Sequence, residues 1–74
     1  MSKLPVVSSN DFIKFIVKEK GYSYLHTRGD HHIYVSKNGR VSVPERKELG
    51  KGLFLALLEE VGSNRDEFLK YWNG

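Results

Sequence analysis

The sequence predicts an α+β domain in the order α-β-β-β-α, a three-stranded antiparallel sheet with helices on one face and a short C-terminal helix. Three observations predict it. Apolar residues recur at helical spacing before Gly21, strand-like alternation fills Tyr22 to Pro44, and helical spacing returns after Gly52. The 74 residues can close one small core. A single domain over 1–74 is therefore expected.

Met1 to Val7 has no period and contains Pro5, so a loose N-terminal arm is expected over 1–7. Ser8 and Asp11 stand at capping-box spacing. Phe12, Phe15, Ile16 and Glu19 follow at i, i+3, i+4 and i+7, with Ile13 and Val17 widening the apolar stripe. Gly21 comes just after Lys20, as a helix-ending glycine does. The first helix therefore has about three turns.

Alternation in Tyr22–Arg28, His31–Lys37 and Arg40–Pro44 predicts a meander of three strands. Leu25, Ile33, Val35, Val41 and Val43 are all expected to face the helices, so the loops must have odd length. A two-residue Asn38-Gly39 loop pairs Val35 with Ser42 and breaks that pattern. A three-residue loop Lys37-Asn38-Gly39 pairs Val35 with Val41 and Ile33 with Val43. The same parity demands an odd loop around Gly29-Asp30. His32, Tyr34, Arg40 and Ser42 then share an open face.

Pro44 ends the third strand, and a charged connection runs from Glu45 to Gly50. Leu53, Phe54, Leu57, Leu58 and Val61 mark a second amphipathic helix that stops at Gly62. The glycines at its mouth leave backbone N–H groups open, where a phosphate can sit, although such glycines more often serve close packing. Ser63 and Asp66 stand at capping-box spacing ahead of a short third helix with Phe68, Leu69 and Trp72.

Composition narrows the function. There is no cysteine, hence no disulfide or thiolate metal site, and nothing points to secretion. No apolar run approaches a membrane span, and no signal-peptide core is seen, so the expected place is the cytoplasm. The net charge is only +3. Its placement is uneven: Lys20 to Lys51 holds seven basic residues against three acidic ones, the remainder five against six. A basic surface can steer nucleic acid. On charge alone, solvated lysines explain it as well.

His31 and His32 are neighbours on a strand and point to opposite faces, so they cannot share a metal there. No ligand-spaced histidines are present, so no metal and no other cofactor is expected. One exposed histidine is suited to proton transfer near neutral pH. In RNA cleavage a base takes the 2′-hydroxyl proton, an acid protonates the 5′ leaving oxygen, and cations steady the phosphate. His32 fits a proton role, with Lys37, Arg40 or Lys47 offering charge. By alternation His26 shares a face with Tyr22 and Tyr24 and is a second titrating group. Those tyrosines and Tyr34 can stack bases, though tyrosine is equally a common strand residue. Arg46, Lys47 and Lys51 flank the second helix and can hold phosphates.

The order of signals is more specific than any one of them. Lys20-Gly21-Tyr22 closes the first helix and Arg28-Gly29-Asp30-His31-His32-Ile33-Tyr34 follows. Asn38-Gly39-Arg40-Val41-Ser42-Val43-Pro44, Lys47-Glu48-Leu49-Gly50-Lys51-Gly52-Leu53 and Leu57-Leu58-Glu59-Glu60-Val61-Gly62 come next. Asp66-Glu67-Phe68-Leu69 ends the series. From about Ser9 to Trp72 the chain resembles the HicA-type, or YcfA-like, toxins of type II toxin–antitoxin pairs. The resemblance implies a fold like the double-stranded-RNA-binding domains, metal-independent mRNA cleavage and a HicB-like antitoxin partner. The family's Gly-Ser-x-His pattern falls on Gly29, Asp30, His31 and His32, so His32 inherits the catalytic role, and Asp30 stands in place of serine. RNA-binding residues are expected at Arg28, His31, Tyr34, Lys37, Arg40, Lys47 and Lys51. The alternatives are a non-catalytic RNA-binding module on the same fold, with Asp30 marking lost activity, and a protein-interaction domain.

Overall fold

A computed structural model describes residues 4–74. Its elements are α1 (Ser9–Glu19), β1 (Ser23–Arg28), β2 (His31–Ser36), β3 (Gly39–Pro44), α2 (Lys51–Glu60) and α3 (Arg65–Asn73). The strands form one antiparallel sheet in the order β1-β2-β3. The α+β class and the helix-strand-strand-strand-helix order agree with the sequence reading. Among the described residues no helix is long and apolar enough to cross a membrane.

The start of α1 is set locally. Ser8 Oγ accepts from the Asp11 N–H, and the Asp11 carboxylate accepts from the Ser8 N–H, satisfying two orphan donors of the first turn. Gly21 then takes a φ of 71°, a left-handed turn that costs glycine little. At the third helix the cap lies one residue later than the Ser63–Asp66 spacing predicts. Asn64 Oδ1 accepts from the Glu67 N–H at 2.8 Å, while Ser63 turns its hydroxyl onto the Glu67 carboxylate. Of the N-terminal arm, residues 1–3 lie outside the described part. Val7 is buried, and its carbonyl accepts from the Leu49 N–H at 2.7 Å.

The expected register is corrected. Ser36 pairs with Gly39, Tyr34 with Val41, Ile33 with Ser42 and His32 with Val43. The loop is therefore the two residues Lys37 and Asn38, and the loop at Gly29-Asp30 also has two, since Arg28 pairs with His31. Ser36 Oγ accepts from the Asn38 N–H at 3.0 Å, and glycine takes the closing position at a φ of 144°, a conformation that side chains oppose. A one-residue slip exchanges the faces of a strand. Val41 and Val43 join the helices in the core. Tyr34 and His32 share their face, while Ile33 and Val35 lie opposite Ser42 and Arg40 on the other. Leu25 sits at a bulge between Tyr24 and His26, 46% exposed, and takes no part in the buried core. The extra residue moves His26, paired with Ile33, to the face away from Tyr24.

Four phenylalanines tie the helices together. Phe68 meets Phe15 edge-on at 5.0 Å and Phe54 at 4.8 Å between ring centroids, and Phe54 meets Phe12 at 6.2 Å. All four are fully buried, and edge-to-face pairs add to their burial. Every β1 residue is exposed. The core therefore covers the β3 side of the sheet and leaves the β1 side of the same face open.

Truncating the central ring, Phe68→Ala, should cost about 3–5 kcal/mol, read as a lower denaturant midpoint. For a domain this small that is a large share of its stability. A gentler test concerns Glu67, whose carboxyl is lowered from its ordinary 4.5 first by the Ser63 hydroxyl and then by Lys20. A depressed carboxyl stabilises the fold above its unfolded value, and the gain is lost as pH falls through the folded value. Glu67→Gln should therefore flatten the decline of the thermal midpoint below about pH 4.5, with most of the parent's midpoint retained at low pH.

Candidate functional site

The open strip of the helix-side face holds a line of hydrogen bonds. Tyr24 on β1 is 56% exposed, and its ring meets Tyr34 on β2 edge-on at 5.5 Å. The Tyr24 hydroxyl lies 2.7 Å from Thr27 Oγ1, and Thr27 Oγ1 lies 3.0 Å from His32 Nδ1. Thr27 and His32 are directly paired across β1 and β2, which makes this contact a product of register. His32 Nε2 is hydrogen-bonded to a carboxylate oxygen of Glu45, just past β3. Burial pushes the Tyr34 phenol above its ordinary value of 10.0, and neighbouring Tyr24 adds to the shift. Tyr34 therefore stays protonated at neutral pH.

Beside this line, Ser9, Asn10, Ile13, His32, Tyr34 and Glu45 enclose a groove of about 400 Å³. The start of α1 forms its far wall, and Ser9 fixes that wall to the segment after β3. Its hydroxyl and its N–H both donate to the Arg46 carbonyl at 3.0 Å, and the hydroxyl oxygen accepts from the Arg46 N–H at 3.1 Å. Ser9 is 1% exposed and is fully satisfied by this bracket. The Glu45 N–H donates to the Asp30 carbonyl at 2.7 Å. The peptide carrying Glu45 is thus held from the β1–β2 turn on one side and from α1 on the other.

The expected site residues are only partly brought together. His32 lies in the groove with its side chain 25% exposed, facing the helix side of the sheet and not the open outer face. Tyr34 is there too. Arg40 is paired with Val35 and projects from the other face with Ser42, because of the register described above. Lys37 occupies the far turn, about 17 Å along the strand from His32. Arg28 and His31 pair at the His32 end of the sheet, and Lys47 follows Glu45 by two residues. Lys51 begins α2, whose N-cap Gly50 makes no side-chain cap. Tyr22 is buried in the core and has no face to offer a base.

Asp30, which stands where the resemblance calls for serine, binds the other histidine, with Oδ1 2.8 Å from His31 Nδ1. The carboxylate on His32 is Glu45. Sequence reasoning missed Glu45, Thr27, Tyr24 as a hydroxyl and Ser9. Thr27 is recoverable from the register; Glu45 and Ser9 reach across the fold. Among the described residues no group of three or more His, Asp or Glu is placed to hold a metal ion.

A family model described as the HicA toxin of bacterial toxin–antitoxin matches residues 9–63. The chain belongs to the HicA toxin family. It is thus a toxin of a toxin–antitoxin pair, with an antitoxin as its partner. No curated protein and no solved structure matches the chain. The part matched to the HicA family begins at Ser9, the bracket residue, and includes His32, Thr27 and Glu45. Helix α3, which supplies Phe68 to the core of this HicA-family fold, lies beyond it.

Proposed function

We propose that this HicA-family toxin binds and cleaves mRNA in the cytoplasm without a metal, with His32 moving the proton. One observation carries the reading: His32 is held in a solvent-open groove, hydrogen-bonded at both ring nitrogens, one of them to a carboxylate. Such an imidazole can gain a proton beside a carboxylate that steadies it, the arrangement general-base chemistry needs. In the reaction, a 2′-hydroxyl gives up its proton and attacks the adjacent phosphorus. The 5′ oxygen leaves and takes a proton, and a 2′,3′-cyclic phosphate remains.

The strip offers aromatic faces at Tyr24 and Tyr34 for a base, with Lys47 and Lys51 as cations for its phosphates, while Arg28 and His31 alternate to the outer face and can meet RNA only from the end of the sheet. A HicB-like antitoxin would silence the toxin by covering this strip, and an acidic partner suits it. The rival reading, a non-catalytic RNA-binding module, rests on Asp30. Because Asp30 engages His31 and not His32, its presence leaves the candidate proton-transfer group unaltered, which favours the enzyme.

His32→Ala should lower the cleavage rate by about 10²–10⁴-fold while RNA affinity changes little. Parent cleavage should persist in EDTA and leave cyclic phosphate ends. Loss in EDTA that magnesium restores would contradict the metal-independent route, and equal rates for parent and His32→Ala would remove His32 from the chemistry. Lys47→Glu combined with Lys51→Glu should weaken binding of RNA and antitoxin. The salt dependence of RNA affinity should also fall by about one unit of slope for each phosphate no longer neutralised. Titrations at two salt concentrations check this, and unchanged affinities would move the binding face elsewhere.

A further inference from the structure

Both ring nitrogens of His32 already have protein partners, so a substrate hydroxyl does not meet the imidazole directly. What it meets is the far end of the hydrogen-bonded line. We propose that Tyr24 and Thr27 relay the substrate proton to His32, with Tyr24 the residue that touches the substrate hydroxyl and Glu45 the positioning residue at the inner end. The proposal rests on the RNA-cleaving reading above.

The proton positions follow from the partners. An ionised carboxylate only accepts, so Glu45 requires a proton on His32 Nε2. In the neutral ring Nδ1 is then an acceptor, and the group facing it at 3.0 Å is the Thr27 hydroxyl, which donates. Thr27 Oγ1 in turn accepts from the Tyr24 hydroxyl at 2.7 Å. Each member gives one proton inward, and the line ends on a lone pair that can take one more. Between Tyr24 and His32 the Tyr24 end is the more open, since Tyr24 is more than half exposed while the His32 side chain is only a quarter exposed.

The inner end is built to stay in place. Glu45 itself is exposed, and an exposed carboxylate on a free loop would wander among partners. Here the Asp30 carbonyl holds the Glu45 N–H, and the buried Ser9 bracket holds the next residue through three hydrogen bonds. A carboxylate fixed in this way selects one tautomer of its histidine and steadies the imidazolium when it forms.

Atoms and charges balance along the line. The 2′-hydroxyl O–H bond breaks as Tyr24 Oη takes its proton, the Tyr24 proton passes to Thr27 Oγ1, and the Thr27 proton passes to His32 Nδ1. The freed electron pair forms the new bond to phosphorus as the bond to the 5′ oxygen breaks. Water protonates the leaving oxygen, and the hydroxide so formed takes the proton back from the imidazolium along the same line. No oxidant or reductant is involved.

The test is steady-state cleavage of a defined RNA oligonucleotide by the full chain and its Thr27→Val, Thr27→Ser, Tyr24→Phe, Glu45→Gln and His32→Ala variants. Thr27→Val keeps the shape and removes the hydroxyl, and Tyr24→Phe keeps the ring for stacking. Both should lower kcat by about 10²-fold or more with KM little changed, and Thr27→Ser should restore most of the loss. Glu45→Gln should lower kcat in the same sense. If Thr27→Val or Tyr24→Phe cleaves within about twofold of the parent while His32→Ala is inactive, the relay is wrong and His32 acts on the substrate directly. If Thr27→Ser is as slow as Thr27→Val, the hydroxyl is not the working group and the relay is again wrong. If His32→Ala cleaves like the parent, or the parent cuts no RNA, the underlying reading falls and the relay with it.

Discussion

Closing the β2–β3 hairpin on Ser36 and Gly39 decides which side of the sheet every residue of those strands occupies. With Lys37 and Asn38 alone in the loop, Val41 and Val43 turn into the core and Tyr34 and His32 turn with them. A loop one residue longer would put His32 on the outer face, away from α1 and the groove. Burial of the two valines and placement of the histidine are therefore one choice, enforced by the period of the strand. The energy that fixes His32 comes from apolar burial on the neighbouring strand, at Val43 beside it and Val41 one pair of residues further on.

The polar site then draws on elements already held for other reasons. The Ser8–Asp11 capping box starts α1 where Ser9 can reach Arg46. The Ser9 bracket closes the segment after β3 over the groove, and Glu45 meets His32 from that segment. Free loops rarely hold a carboxylate against one partner, because ordering a long side chain costs entropy. Here the backbone on both sides of Glu45 is ordered first. The helices cover only the β3 side of the sheet, so the same face serves as core at one edge and as an open strip at the other.

How much of this could be read from the sequence depended on how local each signal was. The first helix, its capping box, Gly21 and the three strands are written within a few neighbouring residues, and they were legible. The faces were not. Ile33 and Val35 are as apolar as Val41 and Val43, so the pattern of β2 fits either face, and an assumed common face led to the wrong loop length. The bulge at Leu25 has no glycine or proline to mark it, so simple alternation puts His26 with Tyr24, where the fold does not. His32 itself was legible through its motif, yet its surroundings were not. Glu45 contacts it across 13 residues and Ser9 meets Arg46 across 37, distances at which one sequence without its fold carries no pairing information.

Whether His32 is held between Thr27 and Glu45 is measured directly in the free protein by ¹⁵N NMR of the histidine rings. At a pH where the His32 ring is neutral, the predicted spectrum shows a protonated Nε2 and an unprotonated, hydrogen-bonded Nδ1. The Nδ1 signal should move toward that of a free acceptor in Thr27→Val, and the single tautomer should give way to a mixture in Glu45→Ala. A ring protonated at Nδ1, or one averaging between tautomers in the parent as it does in a free imidazole, would contradict this arrangement.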